Sequence, residues 1–107
     1  MTREIVLPAK NVSEELAIVF PFQDQMQFGE AILGSFVEVS VFTGTDPTPA
    51  SILSGVSSTI NTFNVQQIIV DGLPGVIYQL VCVVSCSLGT VYSKSAKLAV
   101  VSVDGLF

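Results

Sequence analysis

The sequence predicts an all-β fold, an antiparallel β-sandwich of about seven strands, and three observations carry that prediction. Apolar residues recur at every second position through much of the chain, and no segment keeps a helical period for three turns. Clusters of Gly, Pro, Asn, Asp and Ser punctuate these runs at the spacing of short strands. The run Gly72-Leu73-Pro74-Gly75-Val76-Ile77-Tyr78-Gln79-Leu80-Val81-Cys82 feeds a tight corner into a long alternating strand. In Ig-like and fibronectin-III-like sandwiches a Tyr just after such a corner buries its ring and returns its hydroxyl to the backbone. Tyr78 occupies that place, with Gly72, Leu73, Pro74 and Gly75 shaping the corner.

The strands follow in order. Arg3 to Leu7 reads as a first strand stopped by Pro8, which cannot donate to a ladder. Ser13-Glu14-Glu15 has the look of a helix start, but the β-branched and aromatic content of Ala17-Ile18-Val19-Phe20 favours a strand ended or bent by Pro21. Gln23 to Glu30 is a polar connection in which Met26 and Phe28 are expected to plug one end of the core. Ala31 to Leu33 and Phe36 to Phe42 read as a short strand and a longer one, with Val37, Val39 and Val41 inward and Phe36, Glu38, Ser40 and Phe42 outward. Thr43 to Pro49 is a loop, where prolines remove donors and Asp46 can hold a turn. Ala50 to Gly55 carries Ile52 and Leu53 on a short edge element, and Ser57 to Asn61 reads as a polar crossing. Asn64 to Asp71 is the next strand, with Ile68 and Val70 expected inward and Leu73 closing the corner. Val76 to Cys86, the Ser87-Leu88-Gly89-Thr90 hairpin and Val91 to Val101 complete the set, with Val103 to Phe107 as an apolar tail.

A chain of 107 residues is read as one domain, 1–107, with 1–10 and 102–107 as extended arms. Half of its residues are apolar and 12% are charged, a composition that excludes disorder and points to surface buried against partners. The net charge of −5 and the scattered Arg3, Lys10, Lys94 and Lys97 argue against nucleic acid and anionic membranes as partners, since both need clustered cations. Cys82 and Cys86 stand four apart on one strand, so their Cα atoms are separated by roughly 13 Å and cannot form a disulfide. They are read as buried, reduced thiols on the face of Tyr78, Leu80 and Val84. The start Met1-Thr2-Arg3-Glu4-Ile5 has no basic-then-apolar export pattern, and no apolar run approaches the length of a membrane helix, so a soluble chain is expected.

The strand through Tyr78 is apolar on both sides, because Ile77, Val81 and Val83 alternate with the inward set. A doubly apolar strand in an antiparallel sandwich is either central or covered by a partner. Ile77, Val81, Val83, Phe36, Phe42, Leu106 and Phe107 are therefore the candidate interface residues. Free edges at Arg3 to Leu7 or at Val91 to Val101 would also need covering.

The residues offer little to catalysis. With no His in the chain there is no ordinary Ser-His or Cys-His pair and no imidazole metal ligand. The acids Glu4, Glu14, Glu15, Asp24, Glu30, Glu38, Asp46, Asp71 and Asp104 are scattered and read as solvated. Asp24, Asp46 and Asp71 lie in loops without the Asp-x-Asp-x-Asp-Gly spacing of a calcium loop. Gly72 and Gly75 precede a strand, so they do not form a phosphate loop. No cofactor is expected.

Val41-Phe42-Thr43-Gly44-Thr45-Asp46-Pro47-Thr48-Pro49-Ala50-Ser51-Ile52-Leu53-Ser54-Gly55, the corner from Gly72 to Cys82 and the hairpin Ser87-Leu88-Gly89 occur in that order. In this the chain resembles small Ig-like virion proteins of tailed bacteriophages, over roughly Val12 to Val101. It departs at Phe20-Pro21-Phe22-Gln23-Asp24, where relatives often carry an Asp-Trp segment. The resemblance implies a non-enzymatic structural protein of the virion, assembled in the host bacterial cytoplasm. A decoration or cement protein stabilising the head, held by the major capsid protein in multiple copies, is the leading expectation. The alternative is a neck, tail or fibre adaptor or adhesion module, with a portal, adaptor or fibre protein as partner. A carbohydrate-binding module is a third reading, for which only Tyr92, Phe63 and Phe28 offer aromatic rings.

Overall fold

Alternating apolar sequence has become two packed sheets in a computed structural model that describes residues 3–7 and 9–102. The strands are β1 (Arg3–Val6), β2 (Lys10–Asn11), β3 (Leu16–Pro21), β4 (Ile32–Thr43), β5 (Leu53–Ile60), β6 (Asn64–Ile69), β7 (Ile77–Cys86) and β8 (Val91–Val101), with one 3-10 turn at Pro49–Ile52. The larger sheet runs β1-β8-β7-β4, with β2 also on β8, and the smaller runs β3-β6-β5. The fold is an all-β sandwich. Its inner layers are Ile18 and Phe20 of β3, Val65 and Ile69 of β6, Tyr78, Leu80, Cys82 and Val84 of β7, and Ala96, Leu98 and Val100 of β8. Along β6 and β7 every second residue is buried, which is the pleat expressed as a core.

β1 and β2 lie end to end along β8 in parallel register, Arg3 opposite Lys94 and Lys10 opposite Val100, so the sandwich is not wholly antiparallel. β8 is consequently an interior strand, and Val100 N–H donates to Val76 O at 3.0 Å. Of the two edges considered, Val91 to Val101 is thus internal. The two segments expected around Ala31 to Phe42 merge into the single strand β4, interrupted by register shifts at Ile32/Gly34 and Val41/Thr43. Ser57 to Asn61 is not a polar crossing, since β5 continues to Ile60 by pairing with β6.

The phase of β6 also needs correction. Val65, Gln67 and Ile69 are buried while Ile68 and Val70 are half-buried, because Gln67 turns inward to satisfy backbone oxygens. Its Nε2 donates to Ser54 O (3.4 Å), Gly55 O (3.3 Å) and Ile68 O (3.0 Å), where a β5 bulge between Ser54 and Ser58 interrupts the ladder. Burying an amide is tolerated when its hydrogen bonds are replaced. Met26 packs against the core, but Phe28 is fully exposed, so it plugs nothing. Leu73 exposes its side chain and closes the corner through its backbone, its N–H donating to the Tyr78 hydroxyl at 2.9 Å and its carbonyl accepting Val76 N–H at 3.3 Å.

Candidate functional site

The outer face of the larger sheet is built from three neighbouring strands, and register decides who shares each rung. Phe36, Val83 and Ser93 form one row; Glu38, Val81 and Ser95 the next; Ser40, Gln79 and Lys97 a third. Thr43, Ile77 and Ala99 make the last, next to Phe42 at the β4 irregularity. Phe36 and Phe42 are 53% and 54% exposed, whereas Ile77, Val81 and Val83 are half-buried between flanking strands. Lys97 carries its ammonium 3.9 Å from the centre of the Phe42 ring, a cation–π contact that lays its aliphatic stem across the face. The result is a face of mixed character: Phe36, Val81 and Val83 cluster in the first two rows, Ile77, Ala99 and Phe42 gather at the last, and the polar row of Ser40, Gln79 and Lys97 lies between them, with Glu38 and Lys97 as the charges among these rows. The other two candidate interface residues, Leu106 and Phe107, lie outside the described residues.

At one end of the sandwich the corner holds Tyr78. Its ring is fully buried, its hydroxyl accepts Leu73 N–H at 2.9 Å and donates to Asp46 Oδ2 at 2.6 Å. Burial, then the hydrogen bond to Asp46, pushes the phenol up to about 12. The same bond, with Thr48 N–H on Oδ1 at 2.9 Å, holds the Asp46 carboxyl below its ordinary value. Gly72 takes φ +97°, and a Cβ there would meet Val100 Cγ2 at 2.9 Å, so the corner has neither the backbone freedom nor the room for another residue. Gly75 N–H donates to Val100 O at 3.0 Å, tying the corner to β8. Pro74 stands between these two anchors.

Below the corner lies a residue that composition does not single out. Lys10 is fully buried and its Nζ donates to Asp71 O (2.7 Å), Asn11 O (2.9 Å) and Val12 O (3.3 Å). Desolvation lowers its pKa, with Asp71 and then Glu14 opposing. Asp71 presents its carbonyl from a left-handed backbone, φ +52°.

The opposite end carries a second polar cluster. Glu30 is buried; its Oε1 accepts Gln27 N–H and the Tyr92 hydroxyl, both at 2.8 Å, and its Oε2 accepts Thr90 Oγ1. The Thr90 bond first, with Gln27 and Tyr92 adding, holds this carboxyl below its ordinary value against the cost of burial. Gln27 and Glu30 close a turn, Glu30 N–H to Gln27 O at 3.1 Å, whose Gly29 has φ +86°. That turn presents Phe28 to solvent beside the hairpin of the exposed Leu88. Lys94 is buried beside it, donating to Pro21 O and pairing with Asp24 Oδ1 at 3.1 Å, with its Nζ 5.6 Å from the centre of the Phe22 ring.

Sequence reasoning treated the acids as solvated and the lysines as scattered; it missed Glu30, Lys10 and Lys94 as interior groups. The local spacing Gln27-Phe28-Gly29-Glu30, a Gly-bearing turn followed by an acid able to cap it, was the one available signal for Glu30. The loop acids Asp24, Asp46 and Asp71 do not converge, and among the described residues no three His, Cys, Asp or Glu side chains gather as metal ligands. Cys82 and Cys86 are free, buried thiols, and burial pushes Cys82 up to about 12, where the nucleophilic thiolate is scarce. Of the aromatic rings weighed for sugar binding, Tyr92 is engaged with Glu30 and Phe63 is half-buried, which leaves Phe28 exposed alone at that end.

No protein-family model matches the chain, and no curated protein matches it. The geometry therefore carries the functional argument, with one sheet face bearing apolar clusters and two ends locked by internal hydrogen bonds.

Proposed function

We propose that this protein is a non-enzymatic structural component of a tailed-phage particle, a decoration or cement protein that binds the major capsid protein and stabilises the head. The observation that carries it is the outer face of β4, β7 and β8, where Phe36, Val81 and Val83 cluster in neighbouring rows and Phe42 and Ile77 form a second apolar spot beyond one polar row. A sheet face that sets exposed apolar clusters among polar side chains suits repeated packing against neighbours. The polar groups at both ends are consumed in holding loops, which supports a scaffold role over a reactive one. The pairing orders β3-β6-β5 and β4-β7-β8 support the Ig-like assignment on which the phage resemblance rests. In this reading the protein resides in the virion in many copies, contacts neither nucleic acid nor membrane, and holds no cofactor.

The test adds purified protein to particles lacking it. Wild-type chain should bind at high copy number and raise resistance to heat or salt, and Val81→Lys with Phe36→Ser should abolish binding while leaving the fold intact. No binding, or binding indifferent to both changes, would sink the assignment. The exposed Phe28 on its locked turn, with Leu88 exposed on the hairpin that bonds to Glu30 and Ala31, favours a second reading: a neck, tail or fibre adaptor or host-surface adhesion module that engages its partner end-on. About a dozen copies per particle or fewer, counted by quantitative mass spectrometry, would select it.

A further inference from the structure

The sandwich has four sheet edges among the described residues, and they are not equally protected. β5 is bent by its bulge between Ser54 and Ser58, and its Ser57 hydroxyl meets the Ser35 hydroxyl of β4 at 2.8 Å, so these two edges close on each other. β1 includes two charged residues in its sequence, Arg3 and Glu4. β3, Leu16-Ala17-Ile18-Val19-Phe20-Pro21, carries no charge, and Val19 is 39% exposed on its outer side. An uncharged apolar edge strand is a template for further pairing.

The hydrogen-bond parity of β3 can be worked out. Phe22 N–H donates to Phe63 O at 2.9 Å, which continues the β3–β6 register Pro21↔Asn64 and makes Phe22–Phe63 a hydrogen-bonded pair. In an antiparallel ladder bonded and non-bonded pairs alternate. Leu16, Ile18 and Phe20 therefore direct their backbone groups to β6, while Ala17, Val19 and Pro21 direct theirs to the edge. Pro21 has no N–H, and its carbonyl is taken by Lys94. The free ladder is thus reduced to Ala17 and Val19.

We infer that β3 pairs antiparallel with β3 of a second copy of this chain, about a two-fold axis centred on Ile18. Two residues opposite each other across a sheet must share a face, so the register sum must be even. Centring on Ile18 sets Ala17 opposite Val19 of the second copy, and each pair exchanges both of its backbone bonds. Centring on Val19 instead would set Ala17 opposite Pro21, which has no donor to give. Pro21 thereby selects the register. The chosen axis also places Leu16 opposite Phe20 on the inner face and Ala17 opposite Val19 on the outer one, apolar against apolar without a like-charge clash within the strand. A groove of about 490 Å³ runs beside this edge, lined by Leu7, Ala9, Glu14 and Leu16 to Val19, and the pairing covers it on both copies. The occupant is a second copy because a short two-donor ladder ended by proline satisfies itself when repeated by a two-fold, whereas a longer foreign strand would run on past Pro21 unpaired. The inference stands apart from the virion reading, since it uses a different surface and needs no capsid.

Sedimentation equilibrium of the intact chain, together with amide hydrogen exchange at increasing protein concentration, tests it. The wild type should dimerise, with the Ala17 and Val19 amides becoming protected as dimer forms and the Ile18 and Phe20 amides protected throughout. Val19→Lys and Ala17→Lys place a charge on the outer side of the edge and should each raise the dissociation constant about tenfold or more. Ala17→Pro removes one edge donor and should do the same, with the lysine variants guarding against a folding defect. Val56→Lys, on the exposed β5 bulge, should leave dimerisation unchanged. A chain that stays monomeric to about 1 mM, a dimer indifferent to the lysine variants, or a dimer in which Ala17 and Val19 remain unprotected would overturn it.

Discussion

The two ends of this sandwich solve one problem with the same parts and different electrostatics. Each uses a tyrosine hydroxyl on a carboxylate, Tyr78 on Asp46 and Tyr92 on Glu30, and each buries a lysine whose ammonium caps backbone oxygen, Lys10 at Asp71 and Lys94 at Pro21. At the corner the buried charge is the lysine, caged by carbonyls, while Asp46 is half-exposed. At the loop end the carboxylate of Glu30 is buried as well, and Lys94 has Asp24 as a charged partner. The difference teaches where each end is vulnerable: the corner to loss of its donor, the loop end to loss of its negative charge.

The lysines offer the sharpest way to break this comparison. Lys10→Ala leaves Val12 O and Asp71 O without the donor that now serves them and opens a cavity, at a cost of about 3 kcal/mol. Asn11 O suffers less, because Glu14 N–H also reaches it at 2.9 Å. Lys94→Ala deprives the Pro21 carbonyl, but half-exposed Asp24 can turn to water, so the loss should be about 2 kcal/mol. Urea unfolding midpoints of both variants check the order. A larger loss at Lys94 would mean that its pairing with Asp24 outweighs the carbonyl cage.

The tyrosines come next. Tyr78→Phe strands Leu73 N–H and takes a donor from Asp46, and should cost about 1.5 kcal/mol. Tyr92→Phe should cost about half as much, because Glu30 keeps the Thr90 hydroxyl and Gln27 N–H. Thermal unfolding of the pair measures the ratio. Equal losses would show that the corner gains nothing from routing one hydroxyl to both a backbone amide and a carboxylate.

How far the sequence revealed these ends follows from what each depends on. Strands β7 and β8 were legible to the residue or nearly so, because Tyr78 just after its corner marks the inward face of a strand apolar on both sides, and the Ser87 to Thr90 hairpin marks where β8 begins. The phase of β6 was not, since Asn64-Val65-Gln66-Gln67-Ile68-Ile69 fits either face and the choice was made by a bulge on another strand. Phe28 was misplaced because apolar character alone says nothing about a turn that points a side chain outward. Lys10 and Lys94 were invisible as interior residues: a lysine is buried only where carbonyl oxygens from distant segments converge, and Asp71 lies sixty-one positions from Lys10. The apolar residues of the outer face were legible, while the parallel seat of β1 and β2 on β8 was not.

The smallest expected effect separates the ends by pH. The Glu30 carboxyl is held below its ordinary value of 4.5 in the folded state, so the unfolded chain binds its proton first as the solution is acidified. The stabilisation is therefore complete above the ordinary value and is lost as pH falls toward and through the folded one. Asp46 follows the same sign from its ordinary 3.8, through the Tyr78 bond and then Thr48 N–H. Glu30→Gln removes the titration and turns an amide group toward the donors that now serve a carboxylate, so it is less stable than wild type at neutral pH. The gap between the two should close as pH is lowered through the ordinary carboxylate range and below it. Asp46→Asn should show a smaller gap closing over a more acidic range, because its carboxylate is already half in water and solvent can take over part of the lost bond. Urea midpoints through the acid range decide it: curves for wild type and Glu30→Gln that stay parallel would mean the Thr90, Tyr92 and Gln27 donors serve the protonated acid as well as the carboxylate, and the asymmetry between the two ends would then be steric and not electrostatic.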